Sequence, residues 1–522
     1  MTQIIKSIRL ENLRSLKDTG DIDLKPITIL VGKNSVGKST FARSFPLIRQ
    51  SCAEEKKSPI LWYGKLVDFG DFRTSKNRNS PQDYIGFSFK IDTKTFFNYS
   101  GDLRRFDRIN NEDRNNIKDD IYVTLHISES QKNSYCSFLK IKIFDNVIEA
   151  YLNKEQKIDN LKINEINFDK LYFKEKNLNI RVVQRDILPL LDLVRINKDN
   201  ISRFEKGISE NLLFNEIDSL CNHKSIKAET LHKIMKYIPV SSKENIYKYL
   251  CDTKLISLNN AVKKLDIEEE QFRNICALVY LTKLTEIIFY LDQVISRFFS
   301  NTHYLEPLRA TAQRYYRRQE LAIDEIDSKG SNIAMFVDSL NDEELKSLKS
   351  MMAENFNIEI GSRRDEGHIA LTLRHLENNN NEQTNIADLG MGYSQILPFI
   401  IQLWAATERK SSKFNWSPWR ERCFVIEQPE LHLHPAYQAK IADVIAKVIS
   451  SHRKKLSIVL ETHSQHLLYR FGELIEDEEL GLSPDDIQIL VFNEQDGFSE
   501  VSISNFNSDG ELENWPTGFF QP

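Results

Sequence analysis

The chain has 522 residues, which suggests about two to four domains. Hydrophobic residues make up 41% and charged residues 28%, which excludes a disordered or fibrous chain. The 70 Lys and Arg residues and 75 Asp and Glu residues give a net charge of −5, so no global positive field indicates nucleic acid. The longest apolar run, 275–281, is far shorter than a bilayer span, and the six cysteines form no C-x-x-C pair. These features predict a cytoplasmic protein with reduced cysteines and no membrane partner.

The first predicted elements are two strands followed by a phosphate-binding loop. Ile4, Ile8 and Leu10 share one face of a half-buried strand, and the β-branched run 26–31 is typical of a central strand. Directly after it, residues 32–39 (GKNSVGKS) fit the P-loop pattern G-x-x-x-x-G-K-[ST] and precede a helix-patterned stretch. We expect Pro46 to kink that helix or to end it early.

The chemistry of the P-loop follows from its residue types. Its glycines let backbone N–H groups surround a phosphate, and the helix start adds a partial positive charge. Lys38 is expected to reach the β- and γ-phosphates of ATP, while the Ser39 hydroxyl binds Mg²⁺. The predicted nucleotide-binding residues of this loop are Gly32, Asn34, Ser35, Gly37, Lys38, Ser39 and Thr40.

The middle of the chain, 101–303, is predicted to be an insertion between an N-terminal lobe (1–100) and a C-terminal lobe (304–522). Alternating apolar residues at 84–91 and 121–127 indicate strands, and largely helical patterning begins near Leu188. Residues 268–300 contain no Gly or Pro and repeat apolar residues at helical spacing, which predicts a core helix.

The C-terminal piece carries a strand, helix and strand at 423–426, 437–450 and 456–460, which predicts a parallel sheet covered by helices. Glu427, at the end of the first strand, is the predicted carboxylate linked to Mg²⁺. Gln428 follows it and cannot accept a proton, so hydrolysis is expected to be slow unless Glu430 is the base. The alternative for Glu430 is a turn carboxylate. His463, after the second strand, is expected to contact the γ-phosphate or the attacking water.

Residues 388–395 (DLGMGYSQ) predict a second anion-binding helix start. Gly390 and Gly392 allow close backbone approach, and Ser394 is expected to open the helix-patterned run that follows. One chain does not need two γ-phosphate sites, so this segment is expected to act on nucleotide held by another copy. The predicted contacts are Gly390, Gly392, Ser394 and Gln395.

Four elements in this order resemble the ABC-type ATPase head of the SMC-like class: the opening 4–16, the P-loop, a signature-like segment at 390–395, and the pair Glu427 and His463. The resemblance implies an α/β ABC-type head with a mixed or parallel P-loop sheet and a largely helical middle insertion. It also implies ATP and Mg²⁺ as cofactors, nucleotide contacts from Asn12 and Arg14, and a homodimer with two ATP molecules in its interface. The Q-loop residue stays open among Gln82, Gln184 and Gln313.

The segments 304–309, 426–435 and 513–520 are similar to bacterial antiphage ATPases, in particular the PtuA ATPases of Septu systems, including those attached to retrons. This likeness covers roughly 1–100 and 300–522. It implies a separate HNH nuclease subunit and, in retron versions, a reverse transcriptase with its RNA–DNA product. Residues 464–522 are too few for an appended nuclease domain, so the chain itself is not expected to be a nuclease.

Two other classes remain as alternatives. An SMC-like DNA repair or chromosome ATPase needs long coiled-coil arms, and the sequence has no sustained heptad pattern. The ATPase motor of a membrane transporter is disfavoured by the large middle insertion.

Basic and aromatic clusters suggest further contacts. Arg314, Arg317 and Arg318 alternate with tyrosines, which favours nucleic-acid contact, although a solvated helix face has the same pattern. A weaker candidate is the arginine cluster at 104–108. At the terminus, Trp515, Phe519 and Phe520 suggest either a partner contact or packing on their own domain.

Overall fold

The computed structural model of the chain describes residues 3–99, 119–131, 133–169, 172–173, 178–196, 202–203, 208–221, 228–319, 323–376, 383–409, 421–453, 455–495 and 497–516. Two compact units share them. Unit 1 comprises Met1–Asp23, Gln50–Gly64 and Asp68–Ser300, and unit 2 comprises Leu24–Arg49, Lys65–Val67 and Asn301–Pro522. This grouping differs from the lobe boundaries expected at 100 and 303, because the first strands belong with the middle of the chain and the P-loop with its C-terminal part.

The strands of the first 300 residues are, in chain order, β1 (Ile5–Leu13), β2 (Leu16–Asp18), β3 (Ile22–Asp23), β4 (Ile27–Gly32), β5 (Ile85–Ile91), β6 (Ile121–Glu129), β7 (Ser134–Ile143), β8 (Asn146–Leu152), β9 (Ile158–Ile163), β10 (Ile166–Asp169), β11 (Leu178–Gln184), β12 (Pro189–Ile196) and β13 (Ser202–Arg203). Those that follow are β14 (Thr302–Leu305), β15 (Tyr316–Arg317), β16 (Ile358–Asp365), β17 (His368–His375), β18 (Thr384–Asn385), β19 (Arg422–Glu427), β20 (Leu456–Glu461), β21 (Ile487–Gln495), β22 (Phe498–Phe506) and β23 (Leu512–Glu513).

The α-helices are α1 (Lys38–Ala53), α2 (Phe72–Ser75), α3 (Thr93–Tyr99), α4 (Ile208–Leu220), α5 (Ala228–Lys236), α6 (Lys243–Cys251), α7 (Ile256–Val262), α8 (Glu270–Ser300), α9 (Ile333–Asp338), α10 (Asp342–Phe356), α11 (Met391–Thr407), α12 (Pro435–His452) and α13 (Gln465–Glu476). Of the two effects expected of Pro46, an early end of the helix is wrong, because α1 continues through Pro46 to Ala53, and a kink stays a prediction.

Unit 1 is built on an antiparallel sheet with the strand order β10-β9-β8-β7-β6-β5-β1-β2, to which β3 adds beside β1. The strands expected at 84–91 and 121–127 are confirmed as β5 and β6, where Ile121, Val123 and Leu125 alternate with less buried residues. A second antiparallel sheet contains β11, β12 and β13. Helical structure was expected from about Leu188, but β12 occupies Pro189–Ile196, and the next helix within the described residues is Ile208–Leu220.

The expected core helix is confirmed as α8. By length and composition alone α8 is able to cross a membrane, but 67% of its most apolar 18-residue window is buried. Its apolar side chains, among them Phe272, Leu284 and Phe298, are buried in unit 1. Its apolar composition is therefore that of a helix packed in the core of unit 1.

Unit 2 has a mixed sheet, in which most strand pairs are parallel and the others antiparallel. The strands β14, β19, β20, β4 and β21 are parallel neighbours in that order, and β22 pairs with β21 in the antiparallel direction. The strands expected at 26–31, 423–426 and 456–460 are confirmed as β4, β19 and β20, and the helix between the last two is α12. A small antiparallel sheet of β15, β17, β16 and β18 belongs to the same unit. Because parallel neighbours end at one edge, the ends of β4, β19 and β20 bring distant residues together.

Candidate functional site: the P-loop and two strand ends

The P-loop connects the end of β4 to the start of α1 with backbone angles that favour glycine. Gly32 has a φ of +151°, and a Cβ atom there would lie 2.4 Å from the Phe492 carbonyl oxygen. Gly37 has a φ of +97°, and Ser35 also lies in the left-handed region. The loop therefore keeps its curve because two of its positions carry no side chain.

Lys38 is the first residue of α1 and is 3% exposed. Its Nζ donates to the Gly32 carbonyl oxygen at 2.9 Å and to the Lys33 carbonyl oxygen at 2.5 Å. Burial lowers the Lys38 pKa, and the nearby Glu461 opposes that shift. An ammonium group has three donors, so two of them hold the side chain across its own loop and the third is available to a phosphate.

Glu427 ends β19 with both carboxylate oxygens engaged. Arg43 Nε and Nη2 donate to its Oε1 and Oε2 at 2.8 and 2.7 Å, and the Tyr304 hydroxyl donates to Oε1 at 2.6 Å. Glu427 is 1% exposed. The hydrogen bond to Glu427 raises the Arg43 pKa, and burial followed by the Glu427 charge raises that of Tyr304. The predicted role of Glu427 at Mg²⁺ stays a prediction.

Glu461 ends β20 beside the P-loop, a contact that the sequence analysis did not identify. The Ser39 hydroxyl donates to its Oε1 at 3.0 Å. Its Oε2 is buried and has no hydrogen-bond partner among the residues that the structure describes. Burial, and then the charge of Glu427, raise the Glu461 pKa to about 7. The available signal in the sequence was a carboxylate directly at the end of a buried strand.

The residues after these strand ends hold one another in place. Gln428, with a φ of +44°, donates its backbone N–H to the Glu461 carbonyl oxygen at 2.8 Å. Glu430 is buried, and its Oε1 accepts the backbone N–H of His463 at 2.7 Å. Burial raises the Glu430 pKa, while desolvation and the charge of Lys38 lower that of His463. Glu430 thus holds the turn that carries His463, and its predicted role as a base stays a prediction.

Arg309 is a buried cation that the sequence analysis missed. Its Nη2 donates to the Glu427 carbonyl oxygen at 3.4 Å, and its backbone N–H and carbonyl both bond to the Gln395 side chain. Burial lowers the Arg309 pKa to about 10, against the charges of Glu430 and Glu427. Arg309 therefore connects the end of β19 to helix α11.

The predicted second anion-binding segment forms the start of α11. The helix begins at Met391 after Gly390, so the expectation that Ser394 opens it is wrong. Gly390 is exposed, and a Cβ there would meet nothing within 4 Å. Ser394 and Gln395 are buried, and the Ser394 hydroxyl accepts the backbone N–H of Ala312 at 3.3 Å. The exposed part of the segment is therefore its glycine start, since Ser394 and Gln395 bond to their own chain.

Asn12 and Arg14 lie in unit 1. Asn12 Nδ2 donates to Gln82 Oε1 at 2.8 Å, and Arg14 Nη2 donates to the Asp68 carbonyl oxygen at 3.0 Å. The Arg14 guanidinium lies 4.1 Å from the centre of the Phe69 ring. The Q-loop residue stays open among Gln82, Gln184 and Gln313, and the nucleotide contacts of Asn12 and Arg14 stay predictions.

The structure describes part of the two remaining candidate surfaces. Arg314 pairs with Asp388, and Arg318 lies 3.9 Å from Asp338. Arg317 is exposed on β15. Trp515 packs against the core of unit 2, which is the second of the two readings given for the terminus. The arginines at 104–108, and Phe519 and Phe520, lie outside the described residues.

Comparison with known proteins identifies the class of this chain. A family model described as an AAA ATPase domain matches residues 4–468. The chain belongs to this family, which implies nucleotide binding. Residues 482–521 match a second model, described as a protein of unknown function (DUF3696). No curated protein sequence matches the chain.

Two SMC head structures are similar to the chain at low identity. One is an SMC head bound to the C-winged helix domain of ScpA, with 11% identity, coverage of 96% of this chain and 97% of that one, and a TM-score of 0.33. The other is an SMC head domain from Thermotoga maritima, with 8% identity, coverage of 96% and 98%, and a TM-score of 0.33.

Proposed function

We propose that the chain is a cytoplasmic ATPase subunit that binds ATP and Mg²⁺ at its P-loop and hydrolyses ATP slowly. The supporting observation is Lys38, whose buried ammonium lies over the Gly32 and Lys33 carbonyl oxygens. A cation held in this way is oriented before a phosphate arrives, so it loses little conformational entropy on binding. The slow step is attributed to Gln428, which has no basic group to accept a proton from water.

The nucleotide contacts in this proposal are those of the P-loop: Gly32, Asn34, Ser35, Gly37, Lys38, Ser39 and Thr40. Ser39 would bind Mg²⁺ together with a carboxylate at a strand end, and Glu427 is the residue that the sequence favours. The bound metal would neutralise charge that develops on the phosphates. His463 would contact the γ-phosphate or the attacking water.

We further propose that two copies of the chain close around ATP. The exposed start of α11 at Gly390 supports this step, because the unsatisfied N–H groups of a helix start bind phosphate. Gly392 would permit close approach of the backbone to the nucleotide of the other copy. Ser394 and Gln395 would hold the helix against its own chain. ATP binding would then close the pair, and hydrolysis or nucleotide loss would open it.

The partner of this switch is proposed to be a separate HNH nuclease subunit in antiphage defence. The support is the resemblance of segments 304–309 and 426–435 to the PtuA ATPases of Septu systems. In a retron version, a reverse transcriptase with its RNA–DNA product would join the assembly. Exposed Arg317, with Arg314 and Arg318, is the proposed nucleic-acid contact.

Lys38→Ala tests the ATP proposal directly. We expect it to weaken equilibrium binding of ATP at least 100-fold and to abolish protection against phage, because the side chain that reaches the phosphates is lost. The matched control is Lys346→Ala, an exposed lysine on α10 of the same unit. Unchanged ATP affinity and protection in Lys38→Ala would remove the P-loop from the mechanism.

Purification from the native operon tests the partner proposal. We expect an HNH protein to co-purify with the wild-type chain, and the mass of the complex to change when ATP is added. A complex that contains a membrane permease and no nuclease would contradict the proposal.

A further inference from the structure

We propose that Glu461, and not Glu427, is the carboxylate that binds Mg²⁺ together with the Ser39 hydroxyl. The metal site would then join the start of α1 to the end of β20. This inference rests on the proposed binding of ATP at the P-loop and names the residue that completes its metal site.

The residues at this point fit a Mg²⁺ ion. Mg²⁺ takes oxygen ligands and is usually bound by one or two carboxylates together with phosphates and water. The Ser39 hydroxyl and Glu461 Oε1 lie 3.0 Å apart, which is close enough for one ion to contact both oxygens. Glu461 is 2% exposed, and its Oε2 has no hydrogen-bond partner in the part of the chain that the structure describes. A buried carboxylate oxygen without a donor is unfavourable unless something binds it, and a cation supplies that partner.

Glu427 is in the opposite situation. Three hydrogen bonds from Arg43 and Tyr304 engage its two carboxylate oxygens. Moving Glu427 to a metal would leave the Arg43 guanidinium and the Tyr304 hydroxyl without this acceptor, and Tyr304 is only 3% exposed. A buried donor that loses its partner is left with the full penalty of its desolvation.

The register of the sheet explains why both carboxylates lie close to the P-loop. Glu427 and Glu461 are directly paired on the parallel neighbours β19 and β20, and Glu461 also pairs with Leu30 of β4. Thus β20 lies between the P-loop strand and β19. Glu427 is then a positioning residue that binds Arg43, while Glu461 is the carboxylate bonded to the P-loop serine.

The test compares Glu461→Gln with Glu427→Gln by equilibrium binding of a fluorescent ATP analogue, once in EDTA and once in Mg²⁺. In EDTA, we expect Glu461→Gln to bind the ATP analogue as tightly as wild type does. In Mg²⁺, we expect its affinity for the analogue to be at least tenfold lower than that of wild type. Glu427→Gln should show the same increase in affinity on addition of Mg²⁺ as wild type does. Electron paramagnetic resonance with Mn²⁺ in place of Mg²⁺ provides a readout independent of catalysis. The matched control is Glu343→Gln, an exposed glutamate on α10.

The assignment would be overturned if Mg²⁺ raised the affinity of Glu461→Gln for the ATP analogue as much as that of wild type. It would also be overturned if Mg²⁺ no longer raised the affinity of Glu427→Gln. If Glu427→Gln does not fold, a double-mutant cycle of Ser39→Ala and Glu461→Gln decides the question. Shared ligation predicts that the two losses do not add, whereas additive losses would contradict it. Wild type that binds no ATP even in Mg²⁺ would instead refute the proposed function.

Discussion

The ends of the neighbouring strands β19 and β20 carry paired glutamates in contrasting environments. At the end of β19, Glu427 has a donor on each carboxylate oxygen, supplied by Arg43 and Tyr304. At the end of β20, Glu461 accepts one hydrogen bond, from Ser39, and its second oxygen is buried with no partner among the residues described in the structure. A satisfied network stabilises a fold, whereas a buried polar atom left unsatisfied is more typical of a binding site.

Truncation of each glutamate should separate the two environments most strongly. Glu427→Ala removes the acceptor of Arg43 and of the buried Tyr304 hydroxyl, and breaking a buried ion pair costs about 3–5 kcal/mol. Because the Arg43 side chain is 34% exposed, we expect a smaller loss in the free energy of unfolding, about 2–3 kcal/mol. Glu461→Ala should cost at most about 1 kcal/mol, the typical value of one hydrogen bond. Thermal and urea unfolding without nucleotide measure both losses.

Removing Arg43 as well is the control for this comparison. In the Arg43→Met background, Glu427→Gln should cost less than it does alone, because the ion pair no longer exists. A larger loss for Glu461→Ala than for Glu427→Ala would reverse the division between the two strand ends.

The pH dependence of stability should sharpen the contrast. The Glu461 pKa is raised to about 7 in the folded chain, so between about pH 4.5 and 7 the folded state binds more protons than the unfolded state. Stability from this group is therefore present at low pH and lost as the pH rises through 7, by at most about 1.4 kcal/mol per pH unit. Without metal, the free energy of unfolding of Glu461→Gln should depend less on pH over this window than that of wild type. An identical profile in wild type and variant would contradict the shift.

The elements that surround the site were largely predictable from the sequence. The β-branched run at 26–31 and the apolar runs at 423–426 and 456–460 are short enough to be strands, and each became one. The start of β12 was misjudged because a short apolar run near Leu188 fits a helix and a strand equally well.

The contacts within the site were not predictable in the same way. Ser39 and Glu461 are 422 positions apart, and they meet because β20 lies between β4 and β19 in the sheet. The order of strands in a sheet cannot be derived from periodicity. The sequence therefore favours Glu427 as the Mg²⁺ carboxylate, because it lies at the end of an apolar run. Arg43 and Arg309 were missed for a related reason, since each is defined by a buried acceptor from a distant segment.

Gln428→Glu tests whether a missing base limits turnover. It places a carboxylate directly after the end of β19, and we expect ATP turnover to rise about tenfold, a fraction of the usual gain from a general base. Steady-state phosphate release measures the effect, with unfolding of the variant as the control for structure. An unchanged rate would point to Glu430 or to the opening of the pair as the limit.

The smallest expected effect concerns Ser394 on α11. Ser394→Ala removes the acceptor for the Ala312 backbone N–H, and we expect a loss of about 1 kcal/mol in the free energy of unfolding. Gly390→Ala is the matched variant, because its added Cβ would meet nothing within 4 Å and its φ is negative, so stability should not change. Equal losses in both variants would contradict the difference between the buried and exposed parts of this segment.

The proposed closure of two copies around ATP is tested most directly by the mass of the purified chain in sedimentation equilibrium. With Mg²⁺ and a non-hydrolysable ATP analogue, we expect twice the monomer mass for wild type and the monomer mass for Lys38→Ala. Saturating nucleotide binding by wild type, with the monomer mass unchanged at every protein concentration measured, would contradict it.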